Sequence, residues 1–342
     1  RVGPGVYREW VALETSGTKG APITFVAVEP GRTIVSGADL LSDWTRVDRG
    51  RPVYRTPWHH DFIIAHRDGE PVRHHGAPAP IGCAEQVICD GEPLAQVMGR
   101  DELRPGRFYV DWDADHLYVW LPDGAHPSVA TVEGCVRGLL MSPHQRYNKF
   151  ADAHYVYVRG FTFRHAGNFA QRGGVVAATG WRLEDCVVEW NNATGVQVRG
   201  DGVTLVRVTS QDNGFSGMDG RGTDILVKDC VTRRNNRKGF PPAWAGGGGK
   251  WMSTRGLRVV GLESNGNTGP GLWLDYDNVD YLIEGCVSYA NVGLDQDWQG
   301  SGIFLEINPG PGPVRDCVAY SNTGSGIGVA ECRDVTIERN IL

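Results

Sequence analysis

The sequence is short of features that mark several large classes of protein. It contains no run of about 18 apolar residues, which excludes a membrane-spanning helix. No Cys-x-x-Cys pair occurs among its eight cysteines, so a structural zinc site is not expected. Basic residues are not in excess, since 34 Lys and Arg against 40 Asp and Glu leave a net charge of −6, which argues against a nucleic-acid partner. Segments with the 3.6-residue period of an amphipathic helix are also missing.

Glycine is the residue in excess. The 342 residues include 47 glycines, about twice the usual share, which predicts many turns. Hydrophobic residues make up 41% and charged residues 22%, as in globular proteins. The chain begins at Arg1 and ends at Leu342 inside strand-like segments, so we expect both ends to have been cut or processed. An extracellular or periplasmic location is favoured, and the oligomeric state is not predicted.

Asparagines recur with a regular period along the second half of the chain. Each follows an apolar residue by five positions, and the set is Asn168, Asn191, Asn213, Asn235, Asn267, Asn291, Asn322 and Asn340. Their spacings are 23, 22, 22, 32, 24, 31 and 18 residues, a base period near 22 with two inserts of roughly ten residues. This period is typical of a parallel β-helix, in which each coil contributes a strand, a turn, a strand and an Asn-containing turn. We expect the asparagines to adopt the left-handed conformation of these turns and to stack in a ladder.

Glycines that open the following strand keep the same period. Their positions are Gly174, Gly195, Gly217, Gly239, Gly271, Gly302 and Gly326. Stacking then places equivalent residues of successive coils about 4.8 Å apart. Four cysteines, Cys186, Cys230, Cys286 and Cys317, fall in the apolar column and are interpreted as small buried hydrophobes. A β-sandwich with coincidental spacing is the alternative, which the constant register of the apolar column disfavours.

The period divides the all-β chain into three parts. Residues 1–40 are predicted to form the first coils, 41–135 an inserted antiparallel β subdomain, and 136–342 the main β-helix that carries the site. Within the insert, Cys83 and Cys89 are a candidate disulfide pair. Five histidines crowd there, at His59, His60, His66, His74 and His75. We interpret them as a polar loop and not as a metal site, because their spacing matches no two-histidine ligand pattern.

Two strand-like segments place a carboxylate four residues after an opening glycine. They are 271–275, which ends at Asp275, and 302–306, which ends at Glu306. Because side chains alternate along a strand, the apolar residues between them turn inward while Asp275 and Glu306 turn outward on adjacent coils. Two carboxylates about one strand spacing apart match the 5–5.5 Å separation that retaining glycosidases require. Their repulsion raises one pKa, which leaves one acid protonated and the other ionised.

Further polar and aromatic side chains are predicted on the same face. The two inserts, 240–251 and 293–300, flank it, as loops around a binding site do. Lys250 is expected between Arg221 and Asp275 in the outward column. The residues predicted to bind substrate are Lys250, Trp251, Trp273, Trp244, Arg221, Asp219, Tyr276, Asp277, Trp298 and Asn308. The partner is therefore expected to be a carbohydrate, with no cofactor and no catalytic metal, although a structural calcium ion is left open.

The two acidic segments also carry a family resemblance. Gly-Leu-Trp-Leu-Asp-Tyr at 271–276 and Phe-Leu-Glu-Ile-Asn-Pro-Gly-Pro at 304–311 resemble the active-site segments of glycoside hydrolase family 120. That family contains right-handed β-helix enzymes with a β-rich insert in the first coils, among them retaining β-xylosidases. The resemblance implies that Asp275 is the nucleophile and Glu306 the acid/base. Separately, loops 240–251 and 293–300 would close a pocket over this face, which favours exo attack.

Two other functions stay open on the sequence. A polysaccharide lyase would use Lys250, with Arg221 and Arg199, as base and charge neutraliser, and Asp275 with Asp277 to hold calcium. A non-catalytic glycan-binding solenoid would carry the same surface as a ladder of polar residues, in which each exposed ion pair contributes only about 0–1 kcal/mol. The aromatic and doubly acidic face favours hydrolysis over both.

Overall fold

The chain folds as a right-handed parallel β-helix with an inserted β subdomain. The computed structural model describes residues 1–62, 65–67, 70–72, 79–146 and 149–342. Three parallel sheets of nine strands each form the walls of the helix. A parallel crossover between neighbouring strands is right-handed because of the natural twist of the strands.

One wall carries the two acidic segments and is called the site sheet. Its strands are Val11–Leu13, Met141–Pro143, Gly173–Ala177, Thr194–Arg199, Met218–Thr223, Lys250–Arg255, Leu272–Asp275, Ile303–Glu306 and Ile327–Ala330. The second sheet consists of Ile23–Val26, Val156–Arg159, Arg182–Glu184, Thr204–Val206, Leu226–Lys228, Arg258–Val260, Leu282–Glu284, Gly312–Arg315 and Val335–Glu338. The third consists of Gly5–Tyr7, Thr33–Ser36, Thr162–Arg164, Val187–Glu189, Thr209–Gln211, Val231–Arg233, Glu263–Asn265, Val287–Tyr289 and Val318–Tyr320.

Each coil has three strands, whereas the sequence predicted two. The second and third strands of a coil are separated by only two residues, as between Glu184 and Val187, so the sequence pattern merged them. A left-handed residue makes this sharp corner, for example Asp185 with φ 52°. Asparagine was also expected to be left-handed itself. Instead the residue before it has positive φ, as Trp190 does before Asn191.

The predicted asparagine ladder is present along the interior edge of the third sheet. Each Nδ2 donates to the Oδ1 of the next asparagine at 2.9–3.0 Å, through Asn191, Asn213, Asn235, Asn267, Asn291 and Asn322. Each Oδ1 also accepts the backbone N–H of the preceding asparagine, as Asn213 does from Asn191 at 3.2 Å. Asn168 and Asn340 do not join, and bond to backbone groups instead. The asparagines thus satisfy buried backbone donors at the turns, which would otherwise destabilise the fold.

The core is the lumen of the coils. One cluster of buried apolar side chains runs from Ala27 to Cys317 through all the coils. The four predicted column cysteines are at most 2% exposed within it. Cys83 and Cys89 are not bonded to each other, because all eight cysteines are free.

The inserted subdomain consists of two small sheets with a core of their own. One contains Glu92–Pro93, Val87–Cys89, Val132–Cys135 and Ala38–Leu40, and the other Ala95–Val97, Arg107–Asp111, His116–Trp120, Tyr54–Pro57 and Thr45–Arg46. Pairing is antiparallel except between 95–97 and 107–109. Ala38–Leu40 pairs with Val132–Cys135 here, although the sequence division placed it with the first coils. The three-part division itself stays a prediction.

The remaining elements are short. Two-stranded ribbons join Gln145–Arg146 with Lys149–Phe150 and Ala65–Arg67 with Glu70–Val72, and 3₁₀ turns occur at Arg100–Glu102, Pro127–Val129, Pro242–Trp244 and Asp297–Gly300. Among the described residues, no helix has the length and apolar character needed to cross a bilayer. Of the five insert histidines, the side chains of His66, His74 and His75 lie outside the described residues. His59 lies 3.7 Å from Asp115, and His60 packs against Trp58.

Candidate active site

The two predicted acids face each other across neighbouring strands of the site sheet. The register pairs Leu272 with Ile303, Leu274 with Leu305, and Asp275 with Glu306. These three leucines and one isoleucine are buried, whereas the acids are half-buried at the outer surface. Alternation along each strand therefore turns both carboxyl groups outward from adjacent coils, as the sequence predicted.

Lys250 binds Asp275 directly. Its Nζ lies 2.7 Å from Asp275 Oδ2, and the two side chains are only 14% and 15% exposed. The same ammonium lies 3.8 Å from the centre of the Trp273 ring, a close cation–π contact. The Lys250 ammonium thus makes a charge-assisted contact with the Asp275 carboxyl group in a partly desolvated setting.

Lys250 does not lie in the column predicted for it. The register places Lys250 opposite Trp273, and Met252 opposite Asp275. The register shift between this strand and the preceding one follows the pairing of Gly220 with Trp251, so it does not displace Lys250. Lys250 reaches Asp275 only because its long side chain crosses to the neighbouring column.

Glu306 is in the opposite electrostatic situation from Asp275. Burial raises the pKa of Glu306, and the neighbouring Asp275 carboxylate raises it further. The Lys250 ammonium and the Trp273 indole lower that pKa, but less than burial raises it. Asp275 is thus bound by a cation, while the pKa of its neighbour Glu306 is raised.

A second, shorter ladder of asparagines fixes the backbone at the end of the acidic strand. Asn278 Nδ2 donates to the backbone oxygen of Asp275 at 2.7 Å and to Asn308 Oδ1 at 2.8 Å. Asn308 Nδ2 donates in turn to Leu274 O at 2.8 Å. Asn308 is 1% exposed, so the prediction that it binds substrate is wrong. Its side-chain amide is already hydrogen-bonded to Asn278 and to Leu274 O, in the turns that follow the two acidic strands.

Two of the predicted aromatic contacts are corrected by burial. Trp251 is 2% exposed and packs in the lumen, because it pairs with Gly220 and Leu274 in a column that faces inward. Trp273 faces outward but is 3% exposed, since Lys250, Phe304 and Trp298 cover it. Trp273 therefore shapes the wall of the site and is not an open platform for a sugar ring.

The two inserts do flank the same face of the sheet. The second brings Trp298, on the 3₁₀ turn Asp297–Gly300, to stack on Phe304 at 5.0 Å between ring centres. The first brings Trp244, on the turn Pro242–Trp244, against Phe215 and Phe240. Trp298 and Trp244 both remain partly exposed, as a contact with substrate requires.

A cavity of about 440 Å³ lies beside Lys250, on the side of the earlier coils. It is lined by Gln171, Gln197, Val198, Arg199, Asp219, Gly220, Arg221, Ala243, Trp244, Ala245, Lys250 and Met252. Of the predicted binding residues, Lys250, Arg221, Asp219 and Trp244 thus come together around one space. A volume of 300–1,000 Å³ is usual for a small-ligand site.

Asp219 lies at the wall of this cavity and is buried. Its Oδ1 accepts from Ser216 Oγ at 2.5 Å and from Lys250 N at 3.1 Å, and its Oδ2 accepts from Thr194 Oγ1 at 3.0 Å. Burial nevertheless raises the pKa of Asp219 to about 6. The bond to Lys250 N fixes the start of the strand that carries the lysine.

Tyr276 and Asp277 follow the acidic strand at a sharp turn. Both have positive φ, 41° and 62°, and Tyr276 is 54% exposed. Asp277 pairs with Arg255 at 2.9 Å, while Asp275 is held by Lys250. Each carboxylate of the calcium pair considered above thus has a cation of its own. In the described part of the chain, no group of three or more His, Cys, Asp or Glu side chains has a metal-binding arrangement.

Several lining residues escaped the sequence interpretation. Gln171 precedes the strand Gly173–Ala177, in a loop with no repeat signal. Met252 was missed because the run Gly246–Gly249 hides the register of the next strand. Gln197 and Arg199, by contrast, can be assigned to the outer face from the sequence. They lie two and four residues after the opening glycine Gly195, so they alternate outward.

Comparisons with known proteins agree with this architecture. A family profile described as a right handed beta helix region matches residues 173–342. The chain is similar to the structure of XylC in complex with xylose, with a TM-score of 0.74 and 16% identity over 98% of this chain and 62% of that chain. It is also similar to a structure titled glycoside hydrolase, with a TM-score of 0.56 and 9% identity over 99% of this chain and 88% of that chain. A search among curated proteins found no match. At these identities the likeness shows the fold, and the chain spans less than two thirds of the length of XylC.

Proposed function

We propose that this chain is a retaining glycoside hydrolase acting on a plant- or microbial-type oligosaccharide, with β-xylosidase-like exo action. The observation that carries the proposal is the asymmetry of the acid pair. Asp275 is bound by Lys250 at 2.7 Å, whereas burial and Asp275 raise the pKa of Glu306. Double displacement requires an adjacent pair of carboxyl groups in such different surroundings.

In the first half of the reaction, the Asp275 carboxylate attacks the anomeric carbon. Glu306 gives its proton to the glycosidic oxygen as the bond to the leaving sugar breaks, and a covalent glycosyl ester with Asp275 forms. In the second half, Glu306, now ionised, takes a proton from water while the water oxygen attacks the same carbon. Asp275 leaves as a carboxylate, and the product keeps the anomeric configuration of the substrate.

The separation of the acids supports retention over inversion. Asp275 and Glu306 are register partners on neighbouring parallel strands, whose spacing is about 4.8 Å. An inverting enzyme needs about 6.5–9.5 Å between its carboxyl groups to admit a water molecule. Support for xylosidase-like exo action comes from the fold shared with XylC, a structure solved with xylose, and from the two loops that bracket the acid pair.

The lyase and binder alternatives fit the geometry less well. A β-elimination base must be free to take a proton, but Lys250 is occupied by Asp275 and the Trp273 ring. A passive polar ladder would pair opposite charges on adjacent coils, as Arg234 and Asp212 do. The acid–acid contact of Asp275 with Glu306 is instead unfavourable for stability and is characteristic of catalytic sites.

The test uses nitrophenyl glycosides, with β-xyloside first, and proton NMR of the earliest product. A first-formed sugar with the configuration of the substrate is expected. Azide then separates the two roles, because Glu306→Ala should yield a glycosyl azide of retained configuration and Asp275→Ala one of inverted configuration. Asp280→Asn, an exposed carboxylate paired with Arg258, is the matched control and should keep full activity. An inverted first product, or vinylic signals of an unsaturated uronate, would contradict the proposal.

A further inference from the structure

Two arginines are neighbours on the strands of the site sheet that precede Lys250. Arg199 and Arg221 are register partners, and both line the cavity next to Lys250. Burial lowers the pKa of Arg199, and the positive charges of Arg221 and Arg172 lower it further. Both side chains are exposed, and a negatively charged ligand group between them would relieve their repulsion.

The described carboxylate at this cavity is Asp219, which forms no ion pair with either arginine. Elsewhere on the coils, several outward arginines pair with carboxylates of an adjacent coil, for example Arg207 with Asp185 at 2.6 Å and Arg339 with Asp316 at 2.8 Å. Arg199 contacts the Phe150 ring at 5.8 Å, and neither it nor Arg221 forms a described ion pair. Two guanidinium groups thus present their donors to the cavity.

One buried oxygen atom at the cavity has no hydrogen-bond donor among the described residues. Gln197 donates to Gln171 O at 2.7 Å, but its Oε1 is buried and accepts no hydrogen bond from the described residues. Asp219, the acid on this wall, is already bonded by Ser216, Thr194 and Lys250. Trp244 adds an aromatic edge. An unpaired acceptor beside two guanidinium groups suits a ligand with both hydroxyl groups and an oxyanion.

We propose that this cavity is a subsite for an anionic sugar unit, bound through its oxyanion by Arg199 and Arg221. The substrate is then an acidic oligosaccharide, in which the charged unit is a uronic acid or a sulfated sugar. Arginine presents a planar fork of donors that matches a carboxylate or sulfate group. Lys250 links the subsite to the acid pair, since it lines the cavity and also binds Asp275. This inference rests on the proposed hydrolysis and names its substrate class.

The test measures binding without turnover. Glu306→Gln protein is titrated by calorimetry with an aldobiouronic acid, with its carboxyl-reduced neutral counterpart, and with a sulfated disaccharide. At least one anionic sugar is expected to bind about 10-fold or more tightly than the neutral one, a preference that high salt should remove because it screens the charges. Preferential binding of the aldobiouronic acid identifies the oxyanion as a carboxylate, and preferential binding of the sulfated disaccharide identifies it as a sulfate.

Variants then assign the preference to the arginines. Adding Arg199→Ala and Arg221→Ala should abolish the preference for the anionic sugar over the neutral one. Arg32→Ala removes an equal charge at an exposed surface pair with Glu29 and should change nothing. Equal or absent binding of the anionic and neutral sugars, or a preference that survives the double substitution, would overturn the subsite. Anion-dependent binding without cleavage by the unsubstituted protein would instead leave the subsite in place and refute the hydrolase.

Discussion

Replacing Asp219 by asparagine is expected to stabilise the folded protein at neutral pH. Asp219 is buried, and burial raises its pKa from 3.8 to about 6. Asparagine is nearly isosteric and fits the same contacts. Its Oδ1 can still accept from Ser216 and Lys250 N, while its Nδ2 can donate to the Thr194 hydroxyl.

The magnitude follows from linkage between protonation and folding. Between pH 3.8 and about 6 the folded state holds the Asp219 proton while the unfolded state has released it. The stability of the unsubstituted protein therefore falls as pH rises through this window, and the full cost is present above pH 6. A shift of about 2 pKa units at about 1.4 kcal/mol per unit gives roughly 3 kcal/mol as the upper size of the effect.

The assay is urea denaturation of both proteins at pH 4 and pH 7.5. We expect the gain in unfolding free energy on Asp219→Asn to grow by up to about 3 kcal/mol between the two pH values. Asp152→Asn, whose side chain is 96% exposed, is the control and should show no such growth. The reasoning would be refuted by a difference that is constant with pH, or by a gain that shrinks toward neutral pH.

Three further predictions concern the acid pair and the ladder. Activity should fall as pH rises through the raised pKa of Glu306, because ionised Glu306 cannot protonate the leaving oxygen, and pH profiles of kcat/KM should lose this alkaline limb in Glu306→Gln. Lys250→Met should lower kcat by about 100-fold and move the alkaline limb to higher pH, since Lys250 lowers the pKa of Glu306; an unmoved limb would disprove the coupling. Asn267→Ala should cost about 2–4 kcal/mol in urea unfolding, because Asn235 and Asn291 each lose a buried partner, whereas exposed Asp152→Asn should cost nearly nothing.

The fold was predictable because each coil repeats the same physical requirements. The asparagine column marks buried turn donors, and the cysteine and valine column marks the lumen, so both recur at the coil length. The pairing of Asp275 with Glu306 was predictable for the same reason, since both lie four residues after an equivalent glycine. The extra corner within each coil was missed, because a two-residue bend hardly disturbs a period-2 pattern.

The errors in the site arise where the repeat is interrupted. The glycine run 246–249 has no side-chain alternation, so Lys250 and Trp251 were both assigned outward, and the structure turns Trp251 into the lumen. Asn308 was assigned from its place near an acid, but its amide bonds to Asn278 and Leu274 O. The residue type alone does not distinguish an asparagine that bonds within the ladder from one that contacts a substrate.

The coil period, the lumen column and the adjacency of the two acids can all be predicted from the sequence. They follow from local alternation and repetition, which any copy of the coil must obey. The three-dimensional fold is needed to see that Lys250 crosses columns to bind Asp275, that Trp298 covers Trp273, and that Arg199 and Arg221 share a cavity. Those features depend on side-chain reach and on how the loops fold back over the sheet. Contacts between residues far apart in the sequence are set by packing, so a local sequence pattern does not predict them.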